Sequence, residues 1–155
     1  MLFRSNGAQP TWNNIVQLET AVAQANADLD TLGYLASPKC RGFLKQQTKV
    51  SAYPQYCWDD TRDALGRGIM NGYPAGVTAQ IPNNGTKGTS TGVTTTIFYG
   101  AWSQLLISMW GGLDLLVDPY SLGTQGGIRV NALQSVDTNL RHPESFALMS
   151  DALPQ

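Results

Sequence analysis

The sequence predicts an α+β fold in which a long helix packs on an elongated antiparallel sheet, with a mixed helix-and-strand region between them along the chain. Three observations carry this. Apolar residues recur three or four apart from Trp12 to Leu29, the period of one helix face. Apolar and polar residues alternate from Ile128 to Leu140, the period of a strand. Short apolar segments broken by glycine and proline fill the interval.

The first element gathers Trp12, Ile15, Val16, Val22, Ala25 and Leu29 on one face, with Glu19, Gln24 and Asp28 elsewhere. Thr11 is the expected N-cap, Pro10 lies just outside, and alanines at 21, 23, 25 and 27 favour helix. A helix over 12–29 would be roughly 27 Å long at 1.5 Å per residue. Gly33 ends it, and Gly33 to Ser37 predicts a short strand. Ser37 then caps a second helix with Pro38 at its first position. That helix turns Cys40, Phe43 and Leu44 inward and leaves Lys39, Arg41, Lys45 and Lys49 as a solvated basic surface.

No period persists from Tyr53 to Met70, which predicts a long irregular excursion. A strand is expected within Tyr73 to Ile81, then a mobile loop over 84–92, then strands at Thr94 to Tyr99, Ser103 to Met109 and Leu113 to Asp118. In the last strand Ile128, Val130, Ala132, Val136, Thr138 and Leu140 alternate with Arg129, Asn131, Ser135, Asp137 and Asn139, and Leu133 and Gln134 interrupt the pattern. A strand over 128–140 would run roughly 43 Å, twice a typical strand. The first helix is expected to lie on the sheet containing it, which would bury Val130.

At 155 residues and 42% hydrophobic content the chain is able to bury a core. With charged residues at 14% and a net charge of −1, it has no basic surplus for a phosphate backbone, so no sequence-specific nucleic-acid partner is expected. The apolar runs Leu105 to Met109 and Leu113 to Val117 fall well short of the roughly 20 residues of a membrane helix, and the N-terminus has no signal-peptide pattern. Cys40 and Cys57 lack CxxC spacing and are expected as free thiols.

The residues for chemistry are sparse. His142 is the single histidine, so no His-rich metal site is expected, and the cysteines lack zinc spacing. Ser103 lacks the second glycine of a nucleophile elbow, and in Gly85-Thr-Lys-Gly-Thr-Ser the lysine precedes the last glycine instead of following it as in a phosphate loop. Asn84-Gly-Thr matches a glycosylation acceptor without a secretory signal beside it. Asp59, Asp60 and Asp63 alternate with Arg62 and Arg67, the pattern of a solvated contact surface rather than an acid–base pair. No catalytic, metal or cofactor residues are assigned.

Three stretches carry a family resemblance. They are Pro10-Thr-Trp-Asn-Asn-Ile-Val-Gln-Leu-Glu-Thr-Ala-Val with Asn26-Ala-Asp, Asn71-Gly-Tyr-Pro-Ala-Gly-Val-Thr with Ile97-Phe-Tyr-Gly-Ala-Trp-Ser, and Val117-Asp-Pro-Tyr-Ser through Gly127-Ile-Arg-Val to Val136-Asp and Arg141-His-Pro-Glu-Ser-Phe-Ala. In this order and spacing they resemble the bacteriophage major capsid protein of the Hong Kong 97-type fold. The resemblance runs from about Pro10 to Ala152 and includes no counterpart of the family's N-arm or extended loop, so a fragment is expected.

The resemblance implies a structural, non-enzymatic shell subunit of a phage or prophage, with an encapsulin-type nanocompartment as the nearer alternative and an independent ligand-binding or enzymatic domain as the remoter one. It places 1–32 in the peripheral domain with a spine helix at 12–29, 33–112 in the axial domain, and 113–155 back in the peripheral domain. The partners it implies are further copies of the capsid protein, with scaffold and portal for the full-length subunit and no membrane. The implied location is the virion, assembled in the bacterial cytoplasm. It also sets 52–70 at the symmetry axes, which makes Trp58, Asp59, Asp60, Arg62, Asp63 and Arg67 the candidate subunit interface. Trp58 is expected there as an exposed anchor, and the isolated chain is expected as a monomer or small ring.

Overall fold

The computed structural model of the chain describes residues 6–28, 31–50, 53–62 and 67–155. It divides into two compact units, Met1–Gln104 with His142–Gln155, and Leu105–Arg141.

The larger unit opens with helix α1, Trp12–Gln24. Asn14 stands at the third helical position and its Oδ1 accepts from the Thr11 backbone N–H at 3.1 Å and the Thr11 hydroxyl at 2.8 Å, which closes the N-terminal turn. Ile15, Leu18 and Val22 are the buried face. The helix stops at Gln24 rather than at 29. Asn26 adopts a left-handed φ of 51°, and the N–H groups of Asn26 and Ala27 return to Ala23 O at 3.0 Å and Val22 O at 3.2 Å. This double closure satisfies the terminal carbonyls and outweighs the alanines' helix propensity. Leu29, expected on the apolar stripe, lies outside the described residues.

Strand β1, Leu32–Ala36, follows, then α2, Pro38–Leu44, whose Cys40 N–H donates to Ser37 Oγ at 3.2 Å as the sequence leads one to expect. The segment expected to be irregular instead holds short strands. β2, Thr48–Val50, pairs with β3, Tyr53–Tyr56, and β4, Asp59–Arg62, pairs with β5, Gly68–Met70. They are too short to show a period. β5 turns into β6, Tyr73–Val77, through Asn71 and Gly72, both at positive φ, the two-residue hairpin for which Asn-Gly is best suited. Residues 84–92 form a hairpin, with β7, Gly85–Lys87, folded back on β8, Ser90–Ala101.

The main sheet runs β11-β8-β1-β6-β5-β4, where β11 is Phe146–Ala152. Among the described strands of this sheet only β1 and β6 pair parallel. α1 packs on β11 and β8. One core of Ile15, Val22, Tyr34, Leu44, Met70, Ile97 and Tyr99 joins both helices to the sheet. At Gly100 a Cβ would lie 2.4 Å from the Phe146 ring, and only glycine permits β11 to approach β8 there.

The smaller unit is a two-stranded antiparallel ribbon. β9, Leu105–Asp118, pairs along its length with β10, Arg129–Leu140. Two strands expected on either side of Gly111-Gly112 are thus one. The register shifts between Leu133 and Ser135, with Gly111 at φ +77° in the opposite strand, and Gln134 falls at this irregularity. At the tip, Asp118 Oδ1 accepts from the N–H groups of Tyr120 at 2.9 Å and Ser121 at 3.2 Å. The alternation in 128–140 therefore marks a strand, but not a buried one. Val130 is 58% exposed, and among the described residues its sheet has no strand but β9.

Ile97→Ala empties a fully buried site and is expected to cost about 2–5 kcal/mol in urea denaturation. Val130→Asp is expected to change the stability of the larger unit by no more than about 0.5 kcal/mol. Earlier unfolding of that unit in the Val130→Asp chain would place Val130 in its core.

Candidate subunit interface

The sequence-derived candidates cluster between β3 and β5. The turn entering β4 is tied to the end of α2, with Cys57 N–H donating to Gln47 O at 2.8 Å and Trp58 N–H to Leu44 O at 3.3 Å. This carries Trp58 inward to 4% exposure, so it is a core residue and not the exposed anchor expected. The indole fills the space left by the missing side chain of Gly68, where a Cβ would sit 2.5 Å from the ring. Gly68 was the sequence signal for that slot, but it lies ten positions away with no local pattern linking the two.

Asp59 and Arg67 are exposed. The Thr61 backbone N–H donates to Asp59 Oδ1 at 2.8 Å and, with the Thr61 hydroxyl and then Lys49, holds this carboxyl below its ordinary range. Asp59 stands opposite Ile69 in the strand pair, and Arg62 opposite Gly68. Asp63 and the side chains of Asp60 and Arg62 lie outside the described residues. Nearby, Lys49 Nζ sits 4.4 Å from the centre of the Trp12 ring, a cation–π contact between β2 and the start of α1.

Cys40 and Cys57 are free and buried. Burial pushes the Cys40 thiol up to about 12 and raises that of Cys57, where Lys49 opposes the shift. Neither position favours the thiolate needed for nucleophilic or redox work.

A polar cluster that the sequence reading missed anchors α1 to the β5–β6 turn. Glu19 accepts from the Tyr73 hydroxyl at 3.0 Å and from the Asn71 side-chain amide. Tyr34 donates its hydroxyl to Ile15 O at 3.1 Å, and its ring lies 4.4 Å from that of Tyr99, which meets Tyr73 edge-on at 5.5 Å. Burial raises the Tyr34 and Tyr99 hydroxyls above the ordinary phenol range. The Asn-Gly dipeptide signalled the turn, but nothing local pairs it with Glu19.

An open cleft of about 670 Å³ lies between α1 and β11, and the ionisable groups of its lining are Lys87 and Asp151. Among the described residues no three His, Cys, Asp or Glu side chains are grouped to hold a metal, and no helix is long and apolar enough to cross a membrane.

Comparison with known proteins gives a consistent result. Residues 3–151 match the model of the phage capsid family. The chain is 30% identical over 137 residues, 88% of its length, to a major capsid protein of Halomonas phage phiHAP-1, and it spans only 20% of that relative. Among solved structures, the capsid of an empty GTA particle superposes with a TM-score of 0.55 at 16% identity, covering 94% of this chain and 49% of that one. A virus-like particle from Pyrococcus furiosus gives 0.51 at 14% identity, covering 95% and 57%. At such identities the likeness is one of fold, and the fold is that of these capsid chains.

Two outcomes are expected from the buried groups. In the native chain both thiols resist Ellman's reagent and react once guanidinium unfolds it, and prompt labelling of the native chain would contradict their burial. Raised native pKa values stabilise the fold fully below the ordinary unfolded values, about 8.5 for Cys and about 10 for Tyr, and that contribution is lost as pH climbs past them. Thermal melts should therefore be level to about pH 8 and fall from about pH 9 upward. A level alkaline limb would mean that these groups are solvated.

Proposed function

The chain belongs to the phage capsid family, and we propose that it is a structural, non-enzymatic portion of a virion shell, held there by association with further copies of the capsid subunit. The observation that carries this reading is the family match over residues 3–151, nearly the whole chain. The phage relative favours a virion over an encapsulin-type compartment. The subtype we assign is the Hong Kong 97-type fold, with 33–112 in the axial domain and 1–32 and 113–155, which include most of the ribbon, in the peripheral domain. Overlong paired strands support that placement of the ribbon. Scaffold and portal are the further partners, assembly takes place in the bacterial cytoplasm, and a net charge of −1 fits a shell wall that makes no sequence-specific contact with nucleic acid. A membrane has no part in this reading.

The contact near the symmetry axes is assigned to the charged segment that holds Asp59, Asp60, Arg62, Asp63 and Arg67, while Trp58 belongs to the core. Both charge signs in one segment suit head-to-tail contact between identical subunits.

Particles purified from a lysate of the source phage or prophage should contain peptides of this chain in proportion to the main shell band. Their absence from particles while the lysate contains them would overturn the reading. When Asp59→Lys and unmodified chains are expressed together, the variant should be under-represented in particles by up to about fivefold, the scale of one exposed ion pair, and less so at high salt. Equal incorporation would remove this surface from the contact.

A further inference from the structure

Asn-Gly dipeptides stand at 6–7, 71–72 and 84–85. This pair is the most open to self-modification, because glycine has no side chain to keep its backbone nitrogen away from the preceding carboxamide. The fold treats the three differently. Asn84 is exposed, and its side chain makes no hydrogen bond among the described residues. Asn6 is held through its Oδ1, which accepts from the Thr89 backbone N–H at 3.1 Å. Asn71 is held through its nitrogen, which donates one hydrogen to Glu19 Oε2 and the other to the Tyr34 hydroxyl at 3.4 Å. Both partners are fixed in turn, Glu19 by the Tyr73 hydroxyl and Tyr34 by Ile15 O. The backbone beside Asn71 is not crowded. A Cβ at Gly72 would meet nothing within 4 Å, whereas at Gly7 and Gly85 it would lie 2.7 Å from Asp151 O and 2.4 Å from Thr94 Oγ1. What restrains Asn71 is therefore the pair of bonds to its side chain.

We propose that Asn71 is a latent deamidation site, guarded by Glu19 and Tyr34, and that its conversion releases α1 from the β5–β6 turn. In the reaction the Gly72 backbone nitrogen gives up its proton to solvent and attacks Asn71 Cγ. The Cγ–Nδ2 bond breaks, and the nitrogen takes up a proton and leaves as ammonia. Water then opens the cyclic imide, at Cγ to give aspartate or at the main-chain carbonyl to give isoaspartate, with no oxidant or reductant. The attack requires the carboxamide to turn toward Gly72, so both bonds of the guard must open first. Neither product can restore them. Aspartate sets a second carboxylate against that of Glu19 where two donor hydrogens had been, and like charges in contact repel. Isoaspartate adds a carbon to the main chain of a turn whose two-residue length sets the β5–β6 register.

The purified chain is incubated in mildly alkaline buffer, and each Asn-Gly peptide is followed by mass spectrometry for the change from amide to acid. Asn84 should convert first and serves as the internal reference. Asn71 should convert at least about tenfold more slowly, as expected when the guard is open for less than about a tenth of the time. Glu19→Ala should speed conversion at 71 by at least about fivefold and leave 84 unchanged. Leu44→Ala, a truncation of the core that spares the guard, should leave both rates as they are. A second readout copies the product. Asn71→Asp should lower the melting temperature, and adding Glu19→Gln should recover most of the loss, since the introduced amide at 19 can then donate to the introduced carboxylate at 71. Equal rates at 71 and 84 in the unmodified chain, no acceleration by Glu19→Ala, or equal acceleration by Leu44→Ala would each overturn the inference. So would a Glu19→Gln change that deepens the loss from Asn71→Asp.

Discussion

β8 must find partners along both edges, and the larger unit is arranged to supply them. β1 and β11 both pair with it over residues 98–100 and so take opposite edges, while β7 takes residues 90–94. Alternate side chains Thr95, Ile97, Tyr99 and Ala101 are almost wholly buried. Each neighbour then needs its own means of close approach. Gly100 lets β11 in, the Trp102 indole N–H donates to Gly33 O at 3.0 Å beside β1, and the Thr95 hydroxyl donates to Ser37 Oγ at 3.2 Å below α2.

Polar anchoring decides where α1 lies on this sheet. An apolar stripe of Ile15, Leu18 and Val22 specifies contact with some sheet but not a position along it. Glu19, fixed by Tyr73 and Asn71, and the carbonyl of Ile15, fixed by Tyr34, supply that position, because hydrogen bonds are directional where burial is not. The rings of Tyr34, Tyr73 and Tyr99, packed tilted and edge-on against one another, back this anchor.

The two units deal with apolar surface in opposite ways. The larger one encloses it in a single core. The ribbon leaves Leu113, Leu115, Leu116, Leu133 and their neighbours more than half exposed. Exposed apolar surface of that extent marks a contact site.

Local pattern was enough for much of this protein. The cap at Ser37, the helix behind Pro38, the strand at 129–140 and the irregularity near Gln134 are properties of a few neighbouring residues, and so is the family's string of motifs. The C-terminal closure at Asn26, the short strands of 53–70 and the slot for Trp58 were not legible, because each depends on bonds or contacts that a hydrophobic period does not record. The same holds for the face of β10. Alternation determines which residues share a side, since it follows from backbone geometry alone. Whether that side is covered depends on segments remote in the chain finding it, and only the tertiary structure decided that α1 covers β8 and β11 while Val130 and Val136 stay exposed.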